Sequence, residues 1–514
     1  MILARRAIAG GLIALALAGC AREPGTSSTL ELALETAPNR LDPAFVVDVA
    51  EGEICALAYD GLVGFASDGS LAPGVARDWT LEDGRRYVFH IDRRARFSNG
   101  RPVAASDVIA SFERVLAPAT GSPRAWVLER IRGSAAFAAG DASGVAGLSA
   151  PDDSTLVIEL DEPFAPFLSM LGLPAARIVD TRAPLDANDL PAGAGPWVIS
   201  EWARGDRISL VPNPYHARRA RGIDGVSYRI IPEAFTRVAE FESGSIDVLE
   251  IPDAEVGRFR DDPRTASRVM RRPELRVFYV GLNNQRFTDA RVRRALNLAV
   301  NVDQIIRVLA GGDAIAAHGS IPPGLAGYRE RPGAGYDRDE ARRLLAEAGY
   351  PDGLSIEIWQ RESTEGNRIA EAIQGYWEEA GVHATLVRRE WSAFKQAVSA
   401  GKVDAFLLDW FGDYPDAENF LFPLFHSSNQ GGGGNRAFFS DPEVDRRIEA
   451  ASRIPDADER AHAYAEADSL IYSHFPWVYL YFPTTLHIAS ERIRGYRLPA
   501  IYLGNDFSSV VKQP

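Results

Sequence analysis

Cysteine is nearly missing: the 514 residues include two, Cys20 and Cys55, and eight histidines are scattered along the chain. No two histidines form an H-E-x-x-H pair and no C-x-x-C occurs, so the marked zinc and dithiol signatures are excluded. A G-x-S-x-G elbow is also absent, which removes the best-marked serine hydrolase signal. The glycines at 431–434 lack the Lys-Ser/Thr of a phosphate loop and are not set between strand and helix, so they read as a flexible connection. Positive charge is in deficit. The formal net charge of −14 is the wrong sign for the basic face of a duplex binder. No apolar run reaches comfortable bilayer-spanning length, and there is no internal repeat, heptad run or extended low-complexity tract.

What is present is an ordinary soluble composition, 46% hydrophobic and 25% charged, in a chain too long for one core. Two or three domains are expected. The first residues differ from the rest. Arg5 and Arg6 precede the short apolar run "AIAGGLIALALAG", which ends at Cys20, the form of an export signal. "LALAGC" resembles the lipobox of bacterial lipoproteins, which implies a signal peptide at 1–19, lipid on Cys20 and a polar tether over 20–29. A plain signal peptide with an incidental cysteine is the alternative. Once Cys20 carries lipid, Cys55 stands alone and no intrachain disulfide can form. Cys55 lies in "ICALAYDGLV" and reads as a buried small hydrophobe.

Alternation of apolar and polar residues predicts strands at 86–91, 155–160, 207–211, 226–231, 276–282, 354–359, 383–388 and 404–410. Helices are expected at "TDARVRRALNLAV" with Thr288 as cap, at "DRDEARRLLAEAGY" with Gly349 as stop, and at "SDPEVDRRIEAA" with a Ser440-x-x-Glu443 capping box. The 276–480 region therefore reads as α/β and the first 270 residues as α+β. The aromatic segment "FPWVYLYFPTTLHIAS" is too apolar for a tail. It is expected to return to an earlier sheet, making the domains discontinuous and the cleft between them the place for a small ligand.

The stretch "DWFGDYPDAENF" (409–420) gathers Asp409, Asp413, Asp416 and Glu418. Carboxylates so close could bind a metal, carry acid/base chemistry as in glycoside hydrolysis, or hold a cation. Asp416 and Glu418 suit the first turn of a helix. Asp413 instead follows the buried-looking "AFLLDWFG", at the strand exit where α/β domains place ligand groups.

Six blocks, "LDPA" (41–44), "AYDGLV" (58–63), 73–116, 193–216, 282–306 and 341–353, resemble in order the extracytoplasmic solute-binding proteins of ABC importers, oligopeptide/dipeptide-binding family 5. The resemblance implies a bilobal periplasmic-binding-protein-like α/β fold of class II type, with two discontinuous lobes, a hinge and an inserted α+β subdomain. Lobe I would comprise 30–49, 176–273 and 481–514, the insertion 50–175, and lobe II 274–480. It implies a lipid-anchored, monomeric receptor at the periplasmic or extracytoplasmic face of the envelope. That receptor would capture short peptides and pass them to a separate permease and ATPase, with no enzyme activity, cofactor, metal or nucleic acid. Ala21 after the lipidated cysteine leans toward outer-membrane sorting in a two-membraned envelope. Trp410-Phe411-Gly412-Asp413 matches the family stretch whose aspartate holds the ligand ammonium, with Trp410 walling the pocket. Arg361 in "IWQRESTEGNR" takes the place of the arginine that grips the ligand carboxylate, and Trp391 that of a further cleft aromatic. "ESTEGN" departs from the family's turn, leaving ligand length open. A non-peptide solute of the same fold (a nickel complex, haem or a sugar) and a secreted carboxylate-dependent hydrolase are the alternatives.

Overall fold

A computed structural model describes residues 28–514; the leader, Cys20 and nearly all of the tether lie outside the described residues. Four larger sheets organise the chain. The first contains Thr29–Leu34, parallel to Gly225–Ile230, followed by antiparallel Arg207–Pro212 and Trp197–Ala203. The second, wholly antiparallel, runs Ala76–Glu82, Arg86–Ile91, Thr155–Glu159, Leu148–Asp152 and is covered by the amphipathic helix Ala105–Leu116. All eight strands expected from alternation form, with ends shifted by one or two residues at most.

The six-stranded sheet is ordered Ile315–Ala316, Trp477–Phe482, Arg276–Leu282, Ala405–Phe411, Leu354–Arg361, Val382–Arg389. Its last three strands are mutually parallel, and Arg276–Leu282 is antiparallel to both neighbours. Side-chain alternation divides its two faces. Phe278, Val280, Leu407 and Leu480 pack with the helices Ala290–Leu298, Arg338–Glu347 and Thr364–Glu379. Tyr279, Phe406, Leu408 and Trp477 pack with Trp391–Ser399, Glu418–Phe425, Pro442–Ser452 and Ala457–Ser473. Tyr279 and Trp477 stack there with ring centroids 3.6 Å apart.

Two helix starts differ from expectation by one residue. Asp289, not Thr288, caps Ala290–Leu298 by accepting from Arg291 N–H at 2.8 Å. Asp441, not Ser440, caps Pro442–Ser452 by accepting from Glu443 and Val444 N–H. In both, an ionised acceptor at the positive end of the helix prevails over a neighbouring hydroxyl. Gly349 stops Arg338–Glu347 as expected, at φ +96°. Cys55 is fully buried, and its thiol donates to the Leu41 carbonyl at 3.2 Å.

The aromatic C-terminal segment does more than return to one earlier sheet. Trp477–Phe482 stays in the six-stranded sheet, and after Pro483 alone, Thr484–Ala489 enters a three-stranded sheet between Val248–Glu250 and Val269–Pro273. The chain makes the opposite passage at Glu274–Leu275, between Val269–Pro273 and Arg276–Leu282. The two passages lie side by side, and Glu274 N–H donates to the Pro483 carbonyl at 2.8 Å.

A buried carboxyl group is one of the ties on the final segment. Tyr228 Oη donates to Glu53 Oε1 at 3.0 Å and Asn505 Nδ2 donates to the same oxygen at 2.9 Å. Burial pushes the Glu53 carboxyl up from 4.5 to about 7, so the folded state holds its proton more tightly than the unfolded chain. Below about 4.5 both states are protonated and nothing is lost; stability falls as pH rises toward 7, and above that the full cost remains. Glu53→Gln is therefore expected to stabilise the protein by roughly 1–3 kcal/mol at pH 8 and not at pH 4. Urea unfolding at the two pH values checks this; an equal effect at both would contradict it.

Candidate functional site

The parallel strands of the six-stranded sheet set the site. Leu354–Arg361, Val382–Arg389 and Ala405–Phe411 point their carboxyl ends to one edge, where open α/β sheets collect ligand groups. Beyond Phe411 the chain turns at Gly412, whose N–H donates to Leu275 O at 2.7 Å. An added Cβ at Gly412 would meet the Phe420 ring at 2.8 Å, so glycine is required for this close turn. Asp413 follows. Its backbone N–H donates to Asn419 Oδ1 at 2.8 Å, and Trp410 Nε1 donates to the Asn419 carbonyl at 2.9 Å. Buried Asn419 thus fixes both ends of the turn.

Asp413 faces an open cavity of about 840 Å³ between distant parts of the chain. Arg124, Trp126 and Phe164 form one wall; Trp410, Asp413 and Phe422 form part of the other. Asp413 Oδ1 pairs with Arg124 Nη1 at 3.2 Å across the cleft. Arg124 is itself anchored, donating from Nε to Val46 O at 3.2 Å and from Nη2 to Val47 O at 3.0 Å. The Asp413 side chain keeps 30% exposure. Burial pushes its carboxyl above the ordinary value, and the Arg124 charge offsets part of that rise. A half-desolvated carboxylate of this kind can accept a further hydrogen-bonding cation, such as an ammonium group.

The other carboxylates of the 409–418 stretch are engaged elsewhere. Asp409 Oδ2 pairs with Arg276 Nε at 2.9 Å. Asp416 accepts from Glu418 N–H at 3.0 Å at the start of Glu418–Phe425 and lies 3.7 Å from Arg460, so its helix-start reading holds. Glu418 is fully buried, accepts from Tyr414 Oη, and burial raises its carboxyl to about 7. Among the described residues no group of three or more His, Cys, Asp or Glu side chains is arranged to hold a metal.

The four site residues expected from sequence separate into two pairs. Trp410 and Asp413 line the cavity; Arg361 and Trp391 do not. Arg361 falls on the outward phase of its strand, is 49% exposed, and lies 3.9 Å from Asp409 Oδ1 with its guanidinium 5.9 Å from the Trp391 ring centre. Arg361 and Trp391 nevertheless sit at the same sheet edge, Arg361 ending its strand and Trp391 opening the helix that follows the adjacent strand Val382–Arg389. Arg124 and Asn419 were not singled out from sequence. Arg124 is 289 positions from its partner and no local pattern marks it; Asn419 was readable only as a helix-start residue. The 431–434 glycines, read as a connection, contribute Gly432, Gly433 and Gly434 to the cavity wall.

Residues 70–432 match the profile of the bacterial extracellular solute-binding proteins, family 5 Middle. Heme-binding protein A of Haemophilus influenzae is 27% identical over 500 residues, covering 92% of this chain and 90% of its own. The dipeptide-binding protein of Escherichia coli is 28% identical over 470 residues, with 85% and 86% covered. The solved structure of the murein tripeptide-binding protein MppA in its unliganded open form overlays with a TM-score of 0.82 at 25% identity, covering 95% of this chain and 98% of that one.

Because Asn419 supplies two acceptors to the turn, Asn419→Ala is expected to destabilise the protein by about 1–3 kcal/mol, mainly by stranding the Asp413 N–H. Denaturant unfolding measures the loss; a change within error would show that the turn holds without it.

Proposed function

The chain belongs to the bacterial extracellular solute-binding proteins of family 5, and from that premise we propose that it is a lipid-anchored receptor for short peptides serving an ABC importer. The observation that carries this reading is Asp413 at a strand exit, facing an 840 Å³ cleft cavity with an internal cation as its present partner. A peptide ammonium taken out of water needs an ionised acceptor, and a carboxylate is the strongest available. Trp410 lines the cavity beside it and offers an apolar face to the first residues of the cargo. Side chains of the cargo would lie in water-filled space, where bridging waters tolerate varied sequences.

The lobes follow the passages of the chain. Lobe I would comprise 30–49, 176–273 and 481–514 with 50–175 inserted, and lobe II 274–480; since the strand Trp477–Phe482 runs two residues past that bound, Glu274–Leu275 and Pro483 would form the hinge. Similarity to an unliganded open form supports reading the present arrangement as the receptive one. Arg361 and Trp391, outside the cavity here, would approach cargo only as the walls come together. Cys20, with lipid attached, would hold the receptor at the envelope surface through the 20–29 tether. The permease and ATPase that use it would be separate chains, and the receptor itself would bind as a monomer, without cofactor or catalysis.

Asp413→Ala is expected to weaken binding of a free-amine tripeptide by about 2–5 kcal/mol while leaving an N-acetylated tripeptide unaffected. Titration calorimetry on unfolded-and-refolded, cargo-free protein measures both. Less than a threefold change for the free amine would refute the assignment and favour a non-peptide solute, which has no need of Asp413.

A further inference from the structure

The acidic chain carries a local run of positive charge beside the point where its tether would enter the fold. Residues 216–221 read "HARRAR", and Arg218, Arg219 and Arg221 are all exposed. This loop stands against the start of the described chain. Ser28 Oγ donates to the Asp224 carboxylate, Asp224 N–H donates to Ser28 O at 3.3 Å, and Thr29 pairs with Gly225. The C-terminal strand Val511–Lys512 lies alongside, with Gly222 bridging Val511.

Three exposed apolar side chains surround the same spot: Tyr215 is 51% exposed, Val511 44% and Val211 43%. Val211 is one residue beyond the Leu210–Val226 pair, at the end of the first sheet where Thr29 enters. One flank of the Tyr215 ring is seated on Gly100, where an added Cβ would meet it at 3.0 Å. A part-seated tyrosine with small apolar neighbours and arginines beside it has the composition of a membrane–water interface. The tether decides which surface this face meets. Cys20 lies eight residues before Ser28, a reach of about 29 Å at most and a root-mean-square span of about 16 Å if flexible. So short a link makes contact with the anchoring surface intramolecular, and a weak patch is then well occupied.

We infer that Tyr215, Arg218, Arg219, Arg221 and Val511 form a docking face for an anionic lipid surface, the membrane that the lipid on Cys20 would enter. This rests on the lipid-anchored reading above and is independent of the cargo. Each arginine held near such a surface is worth about a fivefold gain in partition, and Tyr215 and Val511 add apolar contact at headgroup level. The acids beside the loop are engaged: Asp224 accepts from Ser28, and buried Asp60 pairs with His216 at 3.0 Å and lies 3.6 Å from Arg218. The net charge of −14 does not oppose contact strongly, because charges farther from the membrane than about 8 Å are screened at physiological ionic strength. Docking through this face would set the first sheet against the membrane and give the receptor one orientation there.

The test uses residues 20–514, which contain every described element, coupled through Cys20 to a maleimide lipid in vesicles; Cys55 is buried, so Cys20 is the thiol that reacts. This link does not depend on natural lipidation. Hydrogen exchange of 211–224 and 509–513 is compared on vesicles of phosphatidylcholine with and without phosphatidylglycerol. The chains are wild type, Arg219→Gln/Arg221→Gln and, as a control at exposed arginines elsewhere, Arg264→Gln/Arg446→Gln. Circular dichroism melting accompanies each. Exchange at least threefold slower on the anionic vesicles is expected for wild type and control, lost in the Arg219/Arg221 variant and lost for all in high salt. Equal exchange on the two vesicles, or protection that survives in the Arg219/Arg221 variant, overturns the docking face and leaves the anchored reading standing. A mature protein without lipid on Cys20, by mass spectrometry of a membrane extract, overturns both.

Discussion

Among the described residues, two short passages, Glu274–Leu275 and Pro483, are the direct covalent links between the six-stranded sheet and the three-stranded one, and they are hydrogen-bonded to each other. That arrangement constrains everything built on either side. Each passage is flanked on both sides by strands whose registers are set by long ladders, so neither can lengthen or slide without breaking backbone hydrogen bonds. On the proposed division into lobes, rotation about the paired passages would be the motion left, and it would change the separation of the walls of the cavity containing Asp413.

The electrostatics of the chain make sense against its acidity. A protein with net charge −14 repels anions at long range, so any anion taken up must meet local cations inside a cleft where solvent screens less. The cavity collects Arg124, Arg130, Lys395 and Arg436 alongside the carboxyl groups of Glu129, Asp413 and Glu418. The buried acids work differently. Glu418 and Glu53 sit near neutrality in their proton affinity because burial disfavours their charge, and each is satisfied by a tyrosine hydroxyl rather than by a cation. Below neutral pH they make these hydrogen bonds largely without charge.

The legible part of this structure was local. A half-buried strand writes its face into every second residue, so "RVFYVGL" and "LSIEIW" were readable as strands and formed where expected. Helix caps were readable to within one residue, since serine, threonine and aspartate compete at adjacent positions. Pairing was less accessible. Nothing local in "FPWVYLYFPTTLHIAS" tells that its first half belongs to one sheet and its second half to another, because both halves are strand-like and the break is a single proline. In the site, Asp413 was visible through its strand exit and its resemblance to a family stretch. Arg124 was not, because its role depends on a contact across 289 positions.

The contact between Arg124 and Asp413 carries a consequence for how a receptor of this build would discriminate. On the proposed reading, an incoming amine would find one oxygen of the acid already paired with a tethered guanidinium that is held by two carbonyls, and would share the carboxylate with it. Its affinity would then be what it gains over that internal pairing. A lone small amine would gain little, whereas a molecule that brings further contacts beyond its ammonium would gain more, so the resting contact would raise the threshold for monovalent cations.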